Sequence, residues 1–201
     1  MMLEGDFGEF TLEGRDSLEK VYESNERLIQ LVENLLNISR IESGRLQFDF
    51  KKLQLETLVK SVIEELSRSI IKKGLRFNYH KPAKPLPLAR IDEEKIRQVV
   101  MNLIDNAVKY TKQGSITVKL AQTKNSVQFC VTDTGMGMSE EDQANLFKKF
   151  SRGAGTSLVH TEGTGLGLYV AKSMILAHQG KIWAESPGKD RGSKFCFELP
   201  L

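Results

Sequence analysis

The hydrophobic period of this chain changes at Gly44. Before it, Leu18, Val21, Leu28, Leu31, Val32, Leu35, Ile38 and Ile41 recur at threes and fours, which predicts one helix from Ser17 to Ser43. Val21, Leu28 and Leu35 stand seven apart, as do Leu31 and Ile38, so the stripe is coiled-coil-like. Helices of this kind owe most of their stability to a packed apolar face. Residues 1–10 are too few to cover it, so a partner helix is expected before Met1.

After Leu46 strands and helices alternate. Residues 47–51 alternate like a strand, and Leu55 to Lys73 read as an amphipathic helix stopped by Gly74. A second strand at 75–79 leads into a connection punctuated by Pro82, Pro85 and Pro87, then a short strand at 88–91. Asp92 is a good N-cap for a helix to about Tyr110. Strands at 115–120 and 126–132 turn at Lys124-Asn125. A helix at 166–178 and strands at 181–185 and 194–199 complete the chain. Hairpins mixed with three helices predict a two-layer α/β sandwich rather than a doubly wound sheet. The expected division is a helical segment, 1–46, followed by an α/β domain, 47–201.

Composition removes several classes. No run approaches the roughly eighteen apolar residues of a membrane span, and the start lacks a signal peptide's basic and apolar regions. The chain therefore reads as cytoplasmic, though an intact parent with a membrane anchor is compatible with it. Cys130 and Cys196 lie in alternating apolar runs and read as buried small hydrophobes rather than a disulfide. Residues 1–47 carry five Lys/Arg against ten Asp/Glu, leaving 24 against 16 for the remainder. A basic second part suits an anionic ligand or simply a solvated surface. No basic cluster is interleaved with aromatics, which argues against nucleic acid.

Two glycine clusters, Asp133-Thr134-Gly135-Met136-Gly137-Met138 and Gly163-Thr164-Gly165-Leu166-Gly167-Leu168, bracket a short amphipathic piece at 146–150 and a loop of small residues. Closely spaced glycines let backbone approach a ligand, and the second cluster opens a helix, where free N–H groups favour anions. Neither the dinucleotide nor the Walker spacing is present. On the helix before them, Gln98, Asn102, Asp105, Asn106 and Lys109 form one polar stripe opposite Ile96, Val99, Val100, Leu103, Ile104 and Ala107. An amide oxygen suits Mg²⁺ and a lysine one turn away suits phosphate, although a plain polar surface gives the same stripe. Asp133, beside Val131, Met136 and Met138, is placed to accept from an adenine amine in an apolar slot, or simply to form a turn.

Taken in order, Asn102 to Tyr110, Asp133 to Met138, Phe147 to Arg152 and Gly163 to Leu168 resemble the asparagine, first glycine, phenylalanine and second glycine boxes of sensor histidine kinases. Asn25 to Gly44 resembles the second helix of that family's dimerisation and phosphoacceptor domain. The resemblance implies the histidine kinase/gyrase-type ATPase fold behind a coiled-coil-like helix, with ATP and Mg²⁺ as cofactors. It implies that Asn106 ligates Mg²⁺, Asn102 supports metal and phosphates, Lys109 meets phosphate and Tyr110 packs on the nucleoside. Asp133 reads the adenine amine, with Gly135 and Gly137 allowing close approach to the base. Arg152 reaches the γ-phosphate as a lid with Phe147 and Phe150 closes. Gly163, Thr164, Gly165, Leu166, Gly167 and Leu168 cradle the phosphates, and Ser193 assists at the base through water.

The related hydrolases resemble one another in a glutamate four residues before the metal asparagine. Here that residue is Asn102, which cannot take a proton, so transfer is expected rather than hydrolysis. The expected partners are a phosphoacceptor helix, a response-regulator receiver domain and a second copy of the chain, paired through the N-terminal helix. No acceptor-histidine motif stands at His80, His160 or His178, so the acceptor is expected on the segment before Met1, and autophosphorylation of the isolated chain is not expected. The alternative is a nucleotide-holding dimerisation module without turnover.

Overall fold

The computed structural model describes residues 11–151 and 164–201, which fall into two compact units, residues 1–45 and 46–201. Arg152, His160 and Gly163 lie outside the described residues.

The first unit is one helix, α1 (Leu12–Glu42). It begins five residues before the expected start at Ser17, because Thr11 caps it by accepting from the Gly14 N–H at 3.1 Å. A polar first turn carries no hydrophobic period, so periodicity alone starts the helix late. Lys20 pairs with Asp16 one turn away. Val21, Leu28, Val32 and Leu35 are exposed.

The second unit has two layers. Five strands lie in the order β2 (Arg76–His80), β4 (Ser115–Gln122), β5 (Ser126–Asp133), β7 (Ser193–Pro200), β6 (Lys181–Glu185). The β2–β4 pair is parallel and the rest are antiparallel. A separate ribbon pairs β1 (Lys51–Leu53) with β3 (Ala89–Ile91). Helices α2 (Leu55–Lys72), α3 (Glu93–Tyr110) and α5 (Gly167–Ala177) are the long ones among the described residues of this unit, with a short α4 (Glu140–Asn145). Alternation of side chains places Ile116, Val118 and Leu120, Val127, Phe129 and Val131, and Phe195, Phe197 and Leu199 on one buried sheet face. Phe129 stacks on Phe197 there, 5.0 Å between centroids. The apolar row of α3 foreseen from its spacing is fully buried from Ile96 to Ile104.

Three expectations are corrected. Residues 47–50 are not a strand. Phe48 and Phe50 stack on each other and meet His178 edge-on instead, while the Asp49 N–H donates to Asp92. Their alternation comes from anchoring two rings on one side, without a neighbouring strand. The piece at 146–150 is a series of turns, and the helix lies just before it at 140–145, started by the Ser139–Asp142 capping box. Cys130 and Cys196 form a disulfide. They stand opposite each other on β5 and β7, with Cα atoms 4.2 Å apart, the spacing of a non-hydrogen-bonded antiparallel pair. Burial was read correctly, but 66 residues of sequence separation conceal that register.

Candidate functional site

Asp92 opens α3 as foreseen, its carboxylate accepting from the Lys95 N–H at 3.1 Å. It is also a joint. Its other oxygen takes the Asp49 N–H at 2.8 Å, and its own N–H donates to His178 Nε2 at 2.9 Å. The other ring nitrogen, Nδ1, donates to the Met174 carbonyl. Burial pushes the His178 imidazolium down from its ordinary range, in keeping with a neutral structural histidine.

Three to four turns further along α3, Asn106 Nδ2 donates to Asn102 Oδ1 at 2.8 Å. This bond orients both amides on the half-buried side of the helix and leaves Asn106 Oδ1 without a hydrogen bond among the described residues. The start of α5 comes against the same pair. A side chain added to Gly167 would stand 2.1 Å from Asn102 Nδ2 and would push that amide out of place. Leu166 before it is fully buried, and its N–H is held by Thr164 Oγ1 at 3.3 Å. Gly165 takes φ +69° with the backbone of Phe150 and Ser151 only 2.9 Å from where a Cβ would be. The second glycine cluster therefore meets the chain at Phe150 and Ser151. Lys149 over the Tyr169 ring and Lys172 over Phe147 tie the turns at 146–150 to α5. Phe150 itself is exposed, at φ 57°. Lys109 lies over the ring of Tyr110 at 5.9 Å.

At the other end, Asp133 closes β5 and is 5% exposed. Burial raises its carboxyl above the ordinary range, and the N–H groups of Gly135 and Ser193 pull it back. The first glycine cluster is clamped by the β6–β7 connection. Gly192 N–H donates to the Gly135 carbonyl at 3.0 Å, and Asp190 N–H to the Met136 carbonyl at 2.7 Å. Ser193, directly opposite Asp133 in the register, is buried.

Sequence reasoning missed the hub of this clamp. Ser186 Oγ accepts from the Met138 N–H at 3.0 Å and donates to the Gly192 carbonyl at 2.7 Å. Gln143 of α4 binds the Ser186 backbone through both ends of its amide. A lone serine before Pro187-Gly188 reads only as a turn. A cleft of about 560 Å³ lies behind the clamp, lined among others by Thr132, Asp133, Gln143 and Arg191, and Asn102 and Asn106 are not part of its lining. Asp133 and Ser193 thus face this cleft from the end of β5 and the start of β7, while the amides of Asn102 and Asn106 lie on α3.

An amide pair at the glycine-rich start of one helix, with a buried carboxylate at a strand end, can hold phosphates at one end of a nucleotide and a base at the other. The family described as "Histidine kinase-, DNA gyrase B-, and HSP90-like ATPase" matches residues 91–201, which contain all of these groups. The chain belongs to that ATPase family, within its sensor histidine kinases. It is 36% identical over 189 residues to the adaptive-response sensory kinase SasA of Synechococcus sp. (strain JA-3-3Ab), covering 93% of this chain and 49% of that kinase. It thus spans about half the length of the curated relative. Among solved structures, full-length ShkA in complex with AMPPNP superposes with TM-score 0.79 at 27% identity, over 99% of this chain and 41% of ShkA. ThkA in complex with the response regulator TrrA gives 0.72 over 99% of this chain and 55% of that one, and at 22% identity it supports the fold alone. The two-layer sandwich expected from strand and helix order is the fold of these catalytic domains. No described helix is long and apolar enough to cross a membrane.

Proposed function

We propose that this kinase domain binds ATP between α3 and the two glycine segments and transfers its γ-phosphate to a histidine of a protein partner. The observation that carries this reading is the Asn102–Asn106 amide pair seated at Gly167, the first residue of α5. N–H groups at that helix start favour the phosphates, joined by Gly163, Thr164, Gly165, Leu166 and Leu168. Lys109 adds a point charge and Tyr110 packs on the nucleoside. Asp133 accepts from the adenine amine, Gly135 and Gly137 allow the base to approach, and Ser193 assists beside it. Arg152 reaches the γ-phosphate.

The residues present fit a magnesium ion. Asn106 Oδ1 is a hard oxygen ligand with no other hydrogen bond among the described residues. Phosphate oxygens and water would supply its remaining ligands, as Mg²⁺ prefers. Bound there, the ion neutralises charge on the phosphates. Transfer breaks the bond from the γ-phosphorus to the bridging oxygen, forms one to an imidazole nitrogen and leaves ADP. Position 102 supplies an amide where hydrolysis would need a base, so water is not activated.

In this reading the acceptor lies on a helix of a partner segment or subunit, in keeping with His178 being buried on two hydrogen bonds. Residues 1–46 act as its dimerisation element and residues 47–201 as the catalytic domain. A receiver domain consumes the phosphohistidine, in keeping with the ThkA–TrrA complex.

The experiment mixes this chain with an intact related kinase whose own ATP site is disabled, adding Mg²⁺ and labelled ATP. Phosphohistidine on the partner is expected. Bound ATP without transfer would favour a nucleotide-holding module, and no bound ATP would overturn the site.

A further inference from the structure

Thr111 directly follows the last residue of α3, is fully buried, and its hydroxyl is the one buried side-chain polar atom without a hydrogen bond among the described residues. Leaving a buried hydroxyl unpaired is costly, and a valine of the same shape would avoid the cost. The surroundings of Gly135 indicate what the hydroxyl faces. A side chain built on Gly135 would meet the Tyr110 carbonyl oxygen at 2.3 Å, Asp133 Oδ1 at 2.8 Å and Thr111 Oγ1 at 2.9 Å. Three oxygens from two elements thus converge beside one glycine, where no side chain can stand between them. The backbone around them is pinned: Gly135 N–H donates to Asp133 Oδ1 at 2.8 Å, Met136 N–H to the Tyr110 carbonyl at 3.2 Å, and Gly192 N–H to the Gly135 carbonyl at 3.0 Å. Of the three converging oxygens only the hydroxyl carries a proton to give.

We infer that Thr111 is a positioning residue for nucleotide recognition, its hydroxyl donating through one shared water to the Asp133 carboxylate and keeping it aimed at the base. The inference rests on the reading of Asp133 as the group that accepts from adenine. It extends that reading to a residue at the end of α3, so the helix that carries the phosphate-binding amides also steadies the base reader. Nucleotide binding then couples both ends of the pocket through α3.

A donor to a carboxylate lowers its pKa, so removing the donor raises it. Asp133 is already raised by burial and restrained by two N–H groups, and a third donor acts in the same direction as those two. The charged residues that line the cleft with Asp133 are Arg191, Lys194 and Glu185, the last two paired with each other at 3.3 Å, and α3 carries Asp105 and Lys109 towards its end. All are common to parent and variant, as are the nucleotide phosphates, so their titration cancels in the comparison.

The test measures ATP affinity by calorimetry between pH 5 and 8 for the parent chain, Thr111→Val, Thr111→Ser and Asp133→Ala. Thr111→Val is expected to bind about tenfold more weakly at neutral pH, the size of one hydrogen bond to a charged group. Its affinity should also begin to fall at a higher pH than the parent's. Thr111→Ser should restore both within about twofold. A melting curve on each variant separates misfolding from lost recognition, and the serine variant keeps the test decisive if the valine variant does not fold. Unchanged affinity and pH profile in Thr111→Val, with Asp133→Ala weakened, overturns the inference alone. If Asp133→Ala also binds normally, the adenine reading itself fails.

Discussion

Asp133 combines two demands that oppose each other. In the proposed reading it accepts from the base as a carboxylate, yet burial raises its carboxyl above the usual 3.8, making the ionised form costly in the folded chain. A carboxyl raised by folding contributes stability below its unfolded pKa and loses it as pH rises through the folded value. Without nucleotide, the parent is therefore expected to lose stability relative to Asp133→Asn as pH rises above the ordinary carboxylate range. Thermal melts from pH 4 to 8 should show the asparagine variant gaining on the parent. A constant offset between the two would remove the cost assigned to this group. The site is built at the expense of the resting fold, as expected of residues selected for binding. The neighbouring glycines answer packing at this scale too: Gly167 accommodates Asn102, and Gly192 stands where a Cβ would be 2.0 Å from the Asp133 carbonyl.

Among the elements, β5 and β7 carry most of the site's rigidity. They present Asp133 and Ser193 at one end, and the Cys130–Cys196 bond ties them three residues inward. The bond closes a sequence separation of 66 residues, which by loop-closure entropy stabilises the fold by up to about 4 kcal/mol. Reduction with a dithiol is expected to lower the urea midpoint accordingly, and Cys130→Ala with Cys196→Ala should abolish that response. An untreated chain whose midpoint ignores the reductant would show that the bond contributes nothing. Helix α3 is held from both directions. Asp92 fixes its start to residue 49 and to His178, and the ammonium of Lys73 binds the carbonyls of Val108 and Lys109 near its end, at 2.8 and 3.3 Å. The amides of Asn102 and Asn106 thus sit on a helix anchored at each terminus.

For the whole molecule, the first unit leaves Val21, Leu28, Val32 and Leu35 in solvent along one helix. Exposed apolar surface of that extent marks an interaction face. Self-association through α1 is the expected consequence. Sedimentation of the full chain should show a concentration-dependent dimer that Leu28→Glu and Leu35→Glu dissolve. A monomer at every concentration would leave this face to a different helix. The second unit has a core of its own between its helices and the inner face of its sheet, from Leu55 and Val59 to Met174 and Phe197.

Much of this was legible along the chain. Periodicity located α1, α2, α3 and α5, and Asp92 named the start of α3, because these depend on contacts a few residues apart. The order of strands and helices predicted two layers, and the spacing of Asn102 and Asn106 placed both amides on one face of α3, because helical geometry is local. The disulfide, the Ser186–Gln143 clamp and the convergence of Thr111 on Asp133 were not legible. Each joins residues from distant segments whose relative register is decided only when the sheet assembles. The sequence by itself therefore determined what each element carries on each face, because that geometry is local, while tertiary packing decided which of those groups meet and at what distance.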